Sequence, residues 1–320
     1  MIQKKVSLKG GLKKAGFLSR LANDIKKHPC IYILALPVIL YFIAFKYIPM
    51  FGLTIAFKNY VPAKGVFESS WAGMHGFEHF VNYVKDPYFF RTIKNTLMIS
   101  LCDIIFGFPM PIIFALLLNE VRHEKFKKVV QTITYLPHFI SIMVVCGMIT
   151  AFVGRDGVIN DIIAMFGGER SNLLANPAMF RPIYIISGIW QGVGWGSIMY
   201  LAALSGIDSQ LYEAASVDGA GVLRKIWHVS LPGIIPTIVI MLILKLGTIL
   251  SVGYEKIILL YSPITYETSD VISTYVYRRG IINSDYSFSA AVGLMNSLVN
   301  LFVVIISNKV SRHLTETSLW

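Results

Sequence analysis

The sequence predicts an all-α membrane protein with six transmembrane helices and both termini cytoplasmic, on three observations. The 320-residue chain is 55% hydrophobic and only 15% charged, with a mean hydropathy of +0.61, too apolar for a soluble globule of this size. Stretches near residues 30–50, 95–119, 131–153, 182–204, 233–254 and 288–308 are apolar over about the length that crosses roughly 30 Å of hydrocarbon. Each is expected to be a helix, because backbone groups facing lipid have no water to bond. Finally, Lys4, Lys5, Lys9, Lys13, Lys14, Arg20, Lys26 and Lys27 crowd the start of the chain, and Arg122, Lys125, Lys127 and Lys128 follow the second stretch. Lys and Arg concentrate in cytoplasmic loops, so both segments lie inside, and six spans return Lys309 and Arg312 to the same side.

The net charge of +11 is therefore a topology signal, helped by contact with anionic membrane lipid, and does not point to nucleic acid. Cys30, Cys102 and Cys146 lie in or beside apolar stretches; their odd number without paired spacing gives no disulfide framework and no metal site. They are expected to be small buried residues. The long basic arm and long first apolar run argue against a cleaved signal peptide. With no repeat or low-complexity tract, the organisation is a basic arm at 1–29, one membrane domain at 30–310 and a cytoplasmic tail at 311–320.

Within the arm, residues 6–21 include an amphipathic turn suited to the inner leaflet, and Pro37 should bend span one. Phe77, Phe80, Val81 and Val84 recur at i, i+3, i+4 and i+7 in the external 58–94 loop, an amphipathic helix expected to rest on the outer interface. Asp86 and Pro87 resemble an N-cap followed by a first helical proline, restarting a helix that enters span two. Pro137 should kink span three, and Gly154, Gly157, Gly167, Gly168 and Pro177 mark a turn-rich external loop. In span four, Gly188, Gly192, Gly194 and Gly196 between Trp190 and Trp195 suit a central helix approached closely by neighbours. The 256–287 loop is external, polar and aromatic.

The most patterned segment is the cytoplasmic loop between spans four and five, residues 208–232. Asp208 or Ser209 can cap a short helix over 210–217. Gly219 and Gly221 then turn the chain. A second short helix carries Val222, Leu223, Ile226 and Trp227 on one side and Arg224, Lys225 and His228 on the other, and Leu231-Pro232 stops it at the membrane. A connector lying on the membrane surface would have the same composition as a docking helix. Residue order separates the two. Glu213-Ala214-Ala215, three residues, Gly219, nine residues, Val229, one residue and Leu231-Pro232 resemble the EAA loop of permease subunits in ABC importers, with Val229 where the family has Ile. Asp218-Gly219-Ala220 and Leu211-Tyr212 are similar to the carbohydrate-uptake, maltose-type branch, as are Asn95-Thr96-Leu97, Pro137 and Gly157-Val158-Ile159-Asn160. The resemblance spans roughly residues 76–310 and within the branch is nearest to subunits serving oligosaccharides or polysaccharide fragments.

The resemblance implies a type I ABC importer permease fold in a bacterial plasma membrane, with a cytoplasmic EAA coupling helix that sits in a cleft of a separate ATPase. Glu213 would make an ionic contact there, Ala214 and Ala215 allow close approach, Gly219 sets the bend, and Asp218, Ala220, Leu231 and Pro232 complete the coupling loop. Implied partners are a second permease subunit of different sequence, two copies of the ATPase, and an extracellular solute-binding protein or lipoprotein. The chain has no G-x-x-x-x-G-K-[ST] string with which to cradle phosphate. ATP and Mg would be bound by the partner ATPase, and this chain would be no enzyme.

Polar residues inside apolar spans are candidates for the solute path. Asp103, Lys245, Asn296 and Asn300 fall there, and a charge near mid-bilayer costs about 2.5–3.5 kcal/mol on insertion scales, so such groups face an interior cavity or each other. Lys245 is the most central, as path residue or as partner of a carboxylate on another helix. Asn296 and Asn300 share a helix face and can bond sugar hydroxyls or tie helices together. Tyr254, Glu255 and Trp190 could meet sugar by stacking or hydrogen bonding, although interface anchoring accounts for many such aromatics. His75-Gly76-Phe77-Glu78-His79 matches the H-x-x-E-H zinc-peptidase string, without an obvious third ligand or a supporting fold. An ion-gradient carrier is the other rival class; paired internal repeats would mark it, and none is seen. An ABC permease for phosphate, amino acid or peptide differs only by branch.

Overall fold

The computed structural model describes residues 24–315 and 317–319; the amphipathic turn expected at 6–21, and all of the basic arm but residues 24–29, lie outside the described residues. Among the described residues the regular structure is helical, apart from one isolated bridge between Lys58 and Trp71. Five stretches of the described residues are long and apolar enough to cross a membrane: Pro29–Phe57, Phe89–Asn119, Ile142–Met165, Val222–Leu246 and Tyr286–His313. The chain divides into two units, residues 1–54 and 55–320. In the first, α1 (Pro29–Phe42) continues through a π turn at Ile43–Tyr47 to Met50 and buries none of its side chains. A helix apolar on every side suits a lipid environment. Cys30 is exposed on it, contrary to the buried role expected.

The second unit contains α2 (Glu78–Lys85), α3 (Phe89–Asn119), α4 (Glu124–Tyr135), α5 (Ile142–Val153), α6 (Val158–Met165) and α7 (Pro177–Ser205). After these come α8 (Ser209–Val217), α9 (Val222–Leu246), α10 (Tyr254–Leu260), α11 (Ile272–Tyr277) and α12 (Tyr286–Thr315). The fourth predicted span is α7, 29 residues long but diluted by glycine and polar residues, so it is less apolar than the five above. It packs against α3, α4 and α9. Its core neighbours are Val145, Ile149 and Ile257 around Phe180 on one side, and Ala115 and Ile234 around Tyr200 on another. The 256–287 region, expected as loop, folds into α10, α11 and short turns whose Val271, Ile272 and Tyr275 are buried.

Several boundaries differ from expectation for identifiable reasons. The third span does not run from 131 to 153. A 3-10 turn at Leu136–Phe139 separates α4 from α5, and Ser141, extended, caps α5 by accepting from the Val144 N–H. Pro137 restricts the residue before it and removes a donor, so the chain breaks instead of kinking. The break is held on α7, where His138 stacks on Trp195 at 4.5 Å between ring centroids. The restart after α2 comes at Phe89, and Asp86 accepts from the Tyr88 N–H at 2.8 Å in the connecting turn. Leu231-Pro232 does not end a helix; it lies inside the continuous α9, which itself stops at Leu246 rather than 254.

Proline explains that continuity. Π turns occupy Ile43–Tyr47, Asp103–Gly107 and Ile226–Ser230, each just ahead of an X-Pro pair. In all three the residue before proline bonds five back: Ile48 to the Ile43 carbonyl, Phe108 to Asp103 and Leu231 to Ile226. The wider turn makes room for the ring and re-pairs backbone groups that an α-helix would leave open.

Candidate functional site

Two places combine placement and chemistry. The first is residues 208–232. Asp208 caps α8, its carboxylate accepting from the Gln210 N–H at 3.0 Å. The helix ends as Gly219, with φ +72°, lets its N–H reach the Ser216 carbonyl and the Ala220 N–H reach Ala215 at 2.8 Å. That paired closure needs a left-handed residue just past the helix, which glycine supplies without strain. Glu213, Ala214 and Asp218 are exposed, as are Val217 (88%) and Leu223 (80%). The loop is also tied to α9: the Tyr212 and Ser230 hydroxyls share a hydrogen bond of 3.0 Å, and Ile207 fills the space a side chain at Gly233 would need. Sequence reasoning missed both ties, although Tyr212 and Ser230 are the polar residues facing each other across the turn.

The second is a pair of cavities beside α7. One, of about 190 Å³, is lined by Ser100, Asp103, Tyr184, Lys245, Thr248 and Ser251 among others. The other, of about 330 Å³, has Gly188, Gly192 and Gly196 along one wall and shares Asp103 and Lys245 with the first. Lys245 of α9 forms an ion pair with Asp103 of α3, and both remain partly exposed, 42% and 37%. Of the α7 glycines, Gly194 meets the Thr134 backbone and Gly196 meets Pro111, the close approach expected. Gly192 meets nothing and Gly188 only the Lys256 ammonium, so these two open a cavity instead. Lys256 itself is buried, donating to the Tyr184 carbonyl at 3.1 Å with its ammonium 4.8 Å from that ring centroid. Sequence reading did not single it out; a lysine in a short amphipathic segment gives no local sign of burial.

The other path candidates lie elsewhere. Asn296 donates to the Leu250 carbonyl at 3.2 Å, while Asn300 accepts from the Leu250 N–H at 3.1 Å and donates to the Ser251 hydroxyl. Both amides thus hold the chain that leaves α9. Trp190 faces an apolar cavity of about 430 Å³ with Phe152 and Ile186. Tyr254 stacks on Tyr277, and Glu255 is exposed. The zinc-like string has local duties: Glu78 accepts from the Gly73 N–H at 2.8 Å, and His79 Nε2 contacts the Lys58 carbonyl at 3.2 Å. Among the described residues no cluster of three potential ligands forms.

Residues that carried the resemblance turn out to be clasps. Asn160, fully buried, donates to the Gly154 and Ser171 carbonyls and accepts from the Ser171 N–H. Asn95 donates to the Asp270 carbonyl at 2.9 Å and accepts from Arg181 at 2.8 Å, and Thr96 accepts from the Ile272 N–H. Asp270, whose side chain is 0% exposed, binds Arg278 through both oxygens and Arg91 at 2.9 Å.

Residues 107–316 match the family of binding-protein-dependent transport system inner membrane components. The chain belongs to that family. The permease is 42% identical over 302 residues to the polygalacturonan/rhamnogalacturonan transport system permease protein YteP of Bacillus subtilis (strain 168), covering 94% of this chain and 93% of that one. It also matches a bacterial alginate ABC transporter solved in complex with an alginate pentasaccharide-bound periplasmic protein, with TM-score 0.85 and 46% identity over 94% of the permease and all of the matched chain. A second structure, of a bacterial ABC transporter involved in import of the acidic polysaccharide alginate, matches with TM-score 0.84 and 47% identity over 92% and 99% of the two chains.

Proposed function

We propose that this chain is the transmembrane permease subunit of an ATP-binding-cassette importer for oligosaccharides handed over by an extracellular binding protein. The observation that carries it is near full-length similarity to the alginate transporter chain, together with the YteP relative named for pectic polymers. In this reading α7 is the fourth of six spans, added to the five more apolar ones, and both termini and the 208–232 loop are cytoplasmic, as the Lys and Arg distribution favours. The subunit pairs with a second permease of different sequence in a bacterial plasma membrane, above two copies of an ATPase that bind ATP and Mg.

Force enters through α8. Glu213 makes the ionic contact with the ATPase, and Ala214, Ala215 and the exposed Val217 form the packed face. A short helix joined rigidly to α9 transmits a rigid-body motion, and the Tyr212–Ser230 bond and Ile207–Gly233 contact supply that join. Lys245, the α9 residue that lines both cavities, lies on the solute path. The test is co-purification of the native complex and a glycan screen for stimulated ATPase in liposomes. An oligosaccharide-stimulated complex supports the reading; a complex that answers only to phosphate, amino acids or peptides would replace the cargo class.

A further inference from the structure

We propose that Asp103 and Lys245 form a carboxylate-exchange gate: Lys245 leaves Asp103 to take the carboxylate of an acidic sugar unit, with Lys256 as a fixed second cation. The inference rests on the reading of the chain as an oligosaccharide permease and names the chemical class of its cargo.

Three observations converge. The ion pair joins α3 to α9 and walls both cavities at once. The pair is thus common to both walls, and its separation is the step proposed to join the two spaces. Neither charge is sealed: both are more than one-third exposed, and a solute in either cavity can reach them. Water and mobile ions screen a bridge left open in this way, so competing charges can reach and exchange with it.

Charge balance supplies the third. Lys256 has no carboxylate within ion-pair distance among the described residues, and its ammonium lies beside Tyr184 and Gly188, which line the first and second cavities respectively. The Lys245 ammonium thus lines the cavities paired with Asp103, and a second ammonium, Lys256, is buried just behind their wall. A neutral sugar needs hydroxyl partners and no surplus cation, whereas an acidic sugar brings the missing charge. Asp103 then acts as a resident stand-in for the cargo. Its placement is built in, since the π turn at Asp103–Gly107 lays its carboxylate over Gly107, where any side chain would collide with it. When the sugar carboxylate meets Lys245 one ion pair replaces another: Lys245 keeps a partner, and the released Asp103 carboxylate, already 37% exposed, is left to water in the cavities it lines.

The experiment uses the complete importer in liposomes, with binding protein saturated by ligand. Uptake of short oligogalacturonates is compared with uptake of their methyl-esterified counterparts of equal length. The wild type should prefer the acid, and Lys245→Gln should reduce that preference by about tenfold or more, about 1.4 kcal/mol, while Lys245→Arg retains it. Asp103→Asn should lower the KM for the acid, since the internal competitor is gone. Should Lys245→Gln fail to insert, the double variant Asp103→Asn/Lys245→Gln, which leaves a neutral pair, should also lose the preference. Equal transport of acid and ester by the wild type, or equal losses of both in Lys245→Gln, overturns the exchange and leaves the permease reading standing. No uptake of any oligosaccharide overturns both.

Discussion

Gly192 and Gly194 stand two residues apart on α7, and only Gly194 is crowded. A Cβ there would run into the Thr134 backbone, while one at Gly192 would meet nothing within 4 Å. Gly194→Ala should therefore destabilise the solubilised complex by about 1–3 kcal/mol, the usual range for overpacking, seen as a lower thermal midpoint. Gly192→Ala should leave that midpoint unchanged within about 0.5 kcal/mol. Asp270 is the other decisive single residue. It is the shared anion for Arg91 and Arg278, and Asp270→Asn leaves two guanidinium groups without their charge partner. Removing one member of a buried ionic cluster costs about 3–5 kcal/mol; the partial exposure of the arginines (31% and 21%) puts the expected loss near the lower end. Thermal unfolding of the purified variant measures it, and an unchanged midpoint would show that the cluster is ornamental.

At the scale of elements, α8 and the head of α9 are the lever of the proposed mechanism. Its outer face carries Glu213 and exposed apolar groups, and its inner side is pinned by Tyr212, Ser230 and Ile207. Two substitutions separate the faces. Glu213→Lys should abolish binding-protein-stimulated ATPase and uptake while the chain still inserts, because the proposed docking charge is reversed. Tyr212→Phe should leave assembly intact and lower the sugar moved per ATP, because the lever is loosened from α9. Measuring uptake and hydrolysis on the same liposomes distinguishes the cases, and full coupling in both variants would remove α8 from the drive path. Gly219→Pro tests the bend itself: proline holds φ near −65° where the chain needs +72°, so uptake should be lost.

For the whole molecule, the proposed function makes the arrangement a passive gate driven by another chain. Uptake should stop when ATP is depleted and persist when ion gradients are collapsed, and the reverse result would favour a gradient-driven carrier. Much of this was readable before any tertiary contact. Long apolar stretches gave the helical membrane class, Asp208 and Gly219 gave the ends of α8, and the order around Glu213 gave the family. The third span was misplaced because hydropathy runs smoothly through residues 131–153, whereas Pro137 and the Ser141 cap break the backbone there. The end set at Leu231-Pro232 failed similarly, since a π turn lets a helix absorb a proline.

What the sequence determined by itself is local: which stretches prefer lipid, where helices begin or turn, and which side of the membrane attracts lysine. Those properties depend on a residue and its near neighbours. Tertiary structure alone decided that Lys245 answers Asp103, that Asp270 gathers Arg91 and Arg278, that Lys256 is buried against the Tyr184 carbonyl, and that two α7 glycines open a cavity. Each depends on helices distant in the chain meeting side by side. A buried charge is specified by the partner that folding brings to it, and no spacing along the chain records that meeting.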